Sequence, residues 1–222
     1  MTLHLSLSAL TICSIIYIKS AKICQFINFR AFQFQFRKSY QSGTPFTRLS
    51  AIMFLKALMK EEQMGIENVK KYFRRYDIED RIMEFPVSTA TVLSAAEALG
   101  TEPQRIAKTV ALKGSDDGCI LLVTAGDTRI DSAKFKKAFQ TKAKMLSPED
   151  ALLFTSHPVG GVCPFGIEDE RVGVYLDESL RRFDVVYPAC GSANSAIGLK
   201  IPELEVYSGM KGWVDVCRLP EI

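Results

Sequence analysis

Ser156-His157-Pro158-Val159-Gly160-Gly161-Val162-Cys163-Pro164-Phe165-Gly166 is unlike ordinary core or surface sequence, and the reading of the whole chain turns on it. Two adjacent glycines between valines, with Pro158 and Pro164 on either side, mark a backbone that approaches something closely or takes conformations closed to other residues. A glycine pair has no side chain, so it offers a ligand only main-chain N–H and C=O groups, which suit a polarised carbonyl or a phosphate. Pro164 lacks an N–H and fixes its own φ, which stiffens the exit of the loop. The same residues also suit a bulged, tightly packed strand. The glycines alone leave a ligand-facing loop and a structural bulge both open.

Upstream of this loop, Ser147, Pro148, Glu149 and Asp150 make a helix start, with acids where the positive end of the helix dipole sits. Before it come a basic helix over Ser132 to Phe139 and a short strand over Ala143 to Leu146. Lys108 to Lys113 and Cys119 to Thr124 are strand-like runs joined by Gly114, Ser115, Asp116, Asp117 and Gly118, a hairpin signal. Towards the N-terminus, Glu67 to Tyr76 has the apolar spacing of an amphipathic helix, and Arg81 to Phe85 reads as a strand halted at Pro86. Ser88 or Thr89 caps a helix through Val92, Leu93, Ala95, Ala96 and Leu99 that closes at Gly100, and Thr101, Glu102 and Pro103 open a shorter one. Downstream, strands are expected at Val172 to Leu176, Asp184 to Tyr187, Ala196 to Ile201 and Trp213 to Cys217, with helices at Asp177 to Leu180 and Pro202 to Tyr207. No regular βαβ period and no GxGxxG turn are present, so a Rossmann or P-loop fold is excluded. The expected class is α+β, with a mixed or antiparallel sheet partly closed into a barrel.

Charge divides the chain more sharply than length does. Residues 1–60 contain no Asp or Glu but eight of the 28 basic residues, which leaves 20 against all 25 acidic residues in the remainder, a net of −5. The overall +3 therefore comes from the N-terminal stretch, and the body offers no broad basic face to a nucleic acid. A nucleic acid bound there is expected to be held by a local cluster of Lys and Arg, with a modest dependence on salt. The apolar run from Leu5 to Ile18 is too short for the roughly 20 residues of a bilayer helix, and its basic residues, Lys19 and Lys22, follow it, against the order of a secretory signal. Residues 1–63 are expected to be a leader: a transit peptide, or sequence upstream of a true start at Met53, Met59 or Met64, with Met64 favoured. The body, residues 64–222, is expected to be one domain.

Cys13, Cys24, Cys119, Cys163, Cys190 and Cys217 form no CxxC pair, and the histidines are only His4 and His157. Neither a zinc site nor a disulfide scaffold is expected, and the thiols are expected to be reduced, in the cytoplasm.

Four stretches then match one family in order: Ala95-Ala96-Glu97-Ala98-Leu99-Gly100, Arg105-Ile106-Ala107-Lys108-Thr109, Gly160-Gly161-Val162-Cys163-Pro164-Phe165-Gly166, and Tyr175-Leu176-Asp177-Glu178-Ser179-Leu180. From Met64 onward the chain resembles the YbaK family of aminoacyl-tRNA deacylases, free-standing relatives of the editing domain inserted in bacterial prolyl-tRNA synthetases. The resemblance implies a single α+β domain with a mixed, barrel-like sheet surrounded by helices. It also implies hydrolysis of the ester between a mischarged amino acid and the terminal adenosine of tRNA, with Cys-tRNA(Pro) or Ala-tRNA(Pro) as substrate, without metal or cofactor.

The catalytic residues it implies are Lys108, to hold a phosphate or polarise the ester, and Gly160 and Gly161, to place the ester carbonyl. Thr109, Val162, Pro164 and Phe165 flank them as expected substrate contacts. Gly191, Ser192, Asn194 and Ser195 belong to a second polar turn that can hydrogen-bond an amine or a ribose hydroxyl, or satisfy its own backbone. Two departures bear on the pocket: Ser156 stands where relatives commonly have Gly, and Ala189-Cys190-Gly191 replaces a Ser-Ala-Gly pattern.

Cys163 has no Cys-His-Asp arrangement around it in the sequence, so a thiol nucleophile is not expected; His157 reads as a packing residue and Asp177 as a helix cap. With no base in view, water positioning and substrate hydroxyls are expected to carry the chemistry. The expected partners are mischarged tRNA and prolyl-tRNA synthetase, with no membrane. The rival readings are a non-catalytic module that binds tRNA or a synthetase, and a purely structural domain.

Overall fold

The computed structural model of the protein describes residues 64–115 and 117–220, and the expected leader, residues 1–63, lies outside them. At the centre is strand β3 (Cys119–Ala125), every residue of which is buried. Strand alternation sorts its side chains onto two faces. Cys119, Leu121, Val123 and Ala125 enter the main core, while Ile120 and Leu122 enter a smaller core on the other side. A strand covered on both faces reads as a continuous apolar run instead of an alternating one, and Cys119 to Val123 does so.

β3 pairs antiparallel with β2 (Ile106–Lys113) from Ala107–Ala125 to Lys113–Cys119, and parallel with β5 (Val172–Asp177). β9 (Gly212–Val214) adds parallel to β5, β6 (Val185–Pro188) parallel to β2, and β8 (Leu199–Lys200) antiparallel to β6. The order is β8-β6-β2-β3-β5-β9, a mixed sheet curled into a half-barrel. Two short antiparallel pairs flank it: β1 (Met83–Glu84) with β7 (Ser195–Ala196), and β4 (Arg129–Ile130) with β10 (Cys217–Arg218). The expected α+β class with a mixed, barrel-like sheet is the observed one.

Helices close both faces. Helix α1 (residues 64–73) buries Val69 and Phe73 in the main core, the Phe73 ring lying 4.8 Å from that of Phe165. Helix α5 (Ile201–Ser208) adds Leu204 to the same core, and α3 (Ser132–Phe139) presses Phe135 into the smaller one. Each fully buried Leu or Phe contributes about 1.5–3 kcal/mol by leaving water.

Local details correct the sequence reading in four places. The helix α2 (Val92–Leu99) is capped by Thr91, which shares a capping box with Ser94, and not by Ser88 or Thr89. The backbone N–H of Thr89 is bonded 2.6 Å from the Ala193 carbonyl, which both hydroxyls also face, so neither is available to the helix. Ala143 to Leu146 makes only a single bridge, Leu112 to Met145, because the chain turns at once into α4 (Pro148–Thr155). The run from Ala196 to Ile201 is split into β7 and β8, which pair with different strands, and Ile201 begins α5. Trp213 to Cys217 is likewise split into β9 and β10, where the Val216 N–H turns to bond Asp177 Oδ2 at 2.9 Å.

Candidate functional site

The glycine loop leaves α4, whose N-terminus is capped by Ser147 and whose end is Ser156 at φ +59°. That left-handed conformation is one that a glycine takes with less strain than a serine. His157 is fully buried, with Nδ1 3.7 Å from Cys163 Sγ, and its pKa is pushed down to about 4 by burial. A turn follows in which the Gly161 N–H donates to the Pro158 carbonyl at 2.9 Å.

Both glycines are forced by close approach. Gly160 sits at φ +92°, and a Cβ there would lie 2.8 Å from Ala90 Cβ and 3.2 Å from Ala193 Cβ. A Cβ on Gly161 would lie 2.6 Å from the Ser192 nitrogen and 2.7 Å from the Gly191 carbonyl carbon. The Gly161 carbonyl accepts from the Gly191 N–H at 3.1 Å. What Gly161 approaches is therefore the backbone of the second turn, 191–192. Gly161 has spent both its N–H and its carbonyl within the protein, whereas the N–H groups of Gly160 and Val162 have no protein acceptor among the described residues.

The second turn is tied from three sides. Gly191, at φ +82°, abuts Gly65 in α1 so closely that a Cβ on Gly65 would fall 2.1 Å from the Gly191 carbonyl oxygen. Ser192 Oγ donates to Asn194 Oδ1 at 2.9 Å and lies 2.7 Å from Ser195 Oγ, so these hydroxyls satisfy one another. The segment 85–89 straps across: the Phe85 N–H bonds the Asn194 carbonyl at 2.8 Å, and Asn194 Nδ2 returns a bond to the Phe85 carbonyl at 2.9 Å. Gly160, Gly161, Gly191, Ser192, Asn194 and Ser195 are thus brought together. Val162 is partly buried against the main core; Pro164 is buried and Phe165 fully so, in contact with Phe73.

Lys108 and Thr109 part company. In β2, Ala107 and Ala111 point into the main core, the side that holds Cys163, Phe165 and Cys190, and Thr109 shares their parity. The Thr109 hydroxyl is buried and is the lone buried side-chain polar atom without a partner among the described residues. Lys108 shares the parity of Val110 and Leu112, which face the smaller core. Its ammonium donates to the Gly126 carbonyl at 3.1 Å and to the Thr128 carbonyl, and so locks the turn between β3 and β4. Burial pulls its pKa below the usual lysine value, Asp127 and the Cys217 thiol opposing the shift. Of three ammonium donors, one is left for another acceptor.

Cys163 and Cys190 are fully buried, and burial pushes the Cys163 thiol up to about 12. Asp177 does cap the turn after β5, accepting from the Ser179 N–H at 3.0 Å. Among the described residues no group of three or more His, Cys, Asp and Glu is arranged to hold a metal ion, and no helix is long and apolar enough to cross a membrane.

Sequence reasoning missed the small residues Ala90 and Ala193 that make room for Gly160, the Gly126–Thr128 turn that receives Lys108, and Gly65. None left a signal, Gly65 lying just ahead of the helix expected over Glu67 to Tyr76.

Fold and site together define a small α+β domain in which two backbone-lined turns close on each other at one end of a mixed half-barrel. The chain belongs to the aminoacyl-tRNA editing domain family, whose model matches residues 87–206. It is 47% identical over 155 residues to the uncharacterized protein YwhH of Bacillus subtilis, covering 70% of this chain and 98% of that one. It is 31% identical over 107 residues to an Enterococcus faecalis protein with the provisional name Cys-tRNA(Pro)/Cys-tRNA(Cys) deacylase EbsC, covering 48% of this chain and 65% of that one. A proline–tRNA ligase of Thermotoga maritima matches at 26% identity over 52% of this chain and 20% of its own. A crystal structure described as a candidate trans-editing enzyme for prolyl tRNA synthetase superposes with a TM-score of 0.63 at 26% identity, covering 69% of this chain and 97% of that one.

Proposed function

We propose that the protein is a trans-editing aminoacyl-tRNA deacylase that hydrolyses mischarged tRNAPro in the cytoplasm, with prolyl-tRNA synthetase as its partner and residues 64–222 as the working domain. The observation that carries this reading is the editing-domain match over residues 87–206, which takes in Lys108, the glycine loop and the second turn. The ester end of the tRNA lies against the apposed turns. Water adds to the ester carbonyl, the oxyanion accepts from the N–H groups of Gly160 and Val162, and the bond from the carbonyl carbon to the ribose oxygen breaks as that oxygen takes a proton. One aimed donor of this kind lowers the barrier by about 3–4 kcal/mol. No metal takes part. Thr109 contributes its unpartnered hydroxyl from the loop side of β2. Lys108, on the opposite face of β2 from Thr109, fixes the Gly126–Thr128 turn and leaves its third donor for a backbone phosphate of the tRNA.

The test incubates the protein with Cys-, Ala- and Ser-charged tRNAPro. Release of amino acid by the wild type, abolished in Lys108→Ala, supports the reading; no release from any of the three refutes it. A second reading, a tRNA- or synthetase-binding module without turnover, is favoured by one observation: the polar groups of Gly161 and two donors of Lys108 are engaged within the protein. Binding of charged tRNA without release selects that reading.

A further inference from the structure

The run Lys70-Lys71-Tyr72-Phe73-Arg74-Arg75 is the densest basic stretch of a body whose net charge is negative. Its four bases divide in two. Lys70 is neutralised by Glu84 at 2.7 Å and by Glu67 at 3.6 Å, and Arg74 by Glu79 at 3.7 Å. Lys71 in the last turn of α1 and Arg75 in the 3-10 turn that follows it (Arg74–Tyr76) stand on one face, both exposed and with no acidic partner within 4.0 Å among the described residues. That face also carries Asn68 and Tyr72, and it forms one wall of a groove whose other wall is Gly166, Ile167 and Glu168, the exit of the glycine loop. Gly166, at φ +65°, lies close against the helix, a Cβ there falling 3.4 Å from Tyr72 Cβ. Gly166 is five chain steps from Gly161, so the groove begins within about 18 Å of the apposed turns.

Resting on the deacylase reading for the identity of the RNA, we propose that this groove is a phosphate tract, in which Lys71 and Arg75 hold the backbone of the tRNA strand that leads to the ester. Two unneutralised cations on one wall of a groove suit a flexible polyanion, the ammonium and guanidinium meeting phosphate oxygens. Glu168 is the single acid of the groove. The tract thereby supplies local positive charge on a domain whose net charge is negative.

The test measures binding of uncharged tRNAPro to the full chain from 50 to 200 mM salt, a readout that needs no turnover. Two contacts with single-stranded backbone give a log–log slope of about −1.4, or about seven-fold in affinity over that range. Lys71→Ala/Arg75→Ala is expected to weaken binding several-fold and to flatten the slope by about that amount, with an unchanged melting temperature. Lys136→Ala/Lys137→Ala, on exposed α3, removes the same charge elsewhere and is expected to leave tRNA binding as it was. Equal loss in both pairs, or wild-type affinity and slope in the first, overturns the proposal. So does a first pair that loses binding to phosphatidylserine vesicles and keeps tRNA. If charged tRNA is bound through this groove but never hydrolysed, the tract stands and the deacylase reading falls.

Discussion

Replacing Gly161 by alanine is expected to cost stability as well as turnover, and the size follows from what the new methyl meets. Its Cβ would lie 2.6 Å from the Ser192 nitrogen and 2.7 Å from the Gly191 carbonyl carbon and from Ser192 Cα, all of them main chain. Ordinary contact begins near 3.4 Å, so the two turns must separate by most of an ångström, with no side chain to swing aside. Overpacking of this kind costs about 1–3 kcal/mol. The separation also strains the 3.1 Å bond from the Gly191 N–H to the Gly161 carbonyl, adding about 1 kcal/mol. A total of about 2–4 kcal/mol lowers the melting temperature of a domain this size by roughly 4–16 °C. Urea titration of wild type and Gly161→Ala, with deacylation of charged tRNA measured at a temperature where both are folded, separates the two losses. A loss of unfolding free energy below about 0.5 kcal/mol, the size of an ordinary surface substitution, would show that the turns are not locked together as described. Full turnover in a destabilised variant would make the contact purely structural.

Four further outcomes are expected. His157 is neutral in the fold until about pH 4 but takes a proton near its ordinary 6.5 when unfolded, so its contribution is complete above pH 6.5 and is lost as the pH falls towards 4. Urea titrations should register a loss of about 3 kcal/mol across that window, and His157→Gln should flatten it. Ser156→Gly should stabilise the protein by about 0.5–1 kcal/mol, since φ +59° strains a side chain and glycine gives back part of the gain in chain entropy; an unchanged or lower melting temperature counts against this. Thr109→Val should raise stability by about 1 kcal/mol by removing a buried unpartnered hydroxyl, while slowing deacylation; a loss in stability would mean the hydroxyl is satisfied. Cys163 and Cys190, buried and with raised thiol pKa values, should react with a disulfide reagent at pH 8 only as fast as the domain unfolds, as peptide mass mapping would show.

The parts of the fold legible in the sequence were those fixed by local chemistry. The α3 reading, Ser132 to Phe139, coincides with the helix observed, because Asp131 caps it and Phe135 and Phe139 lie one turn apart. The hairpin of β2 and β3 was signalled by its Gly-rich connection and two apolar runs. Boundaries failed where tertiary bonds compete with local ones. Ser88 and Thr89 look like caps, but the Ala193 carbonyl claims them. Residues 213–217 look like one strand, but Asp177 pulls Val216 out of line. At the site, the glycine pair announced a close approach, and the structure supplies the neighbour, the 191–192 turn. The opposite parities of Lys108 and Thr109 follow from strand alternation alone and were available in principle. That the ammonium closes the Gly126–Thr128 turn was not, since it depends on how β3 continues into β4.

The pairings of the half-barrel span long stretches of chain: Ile106 meets Tyr187, and Cys119 meets Val172. Parallel neighbours cannot zip from a hairpin, so most of the sheet must wait for loop closure, and refolding on the millisecond-to-second scale is expected. Until β5 and β6 have been synthesised and docked, the hairpin of β2 and β3 exposes two apolar edges, a template for pairing between nascent chains on neighbouring ribosomes.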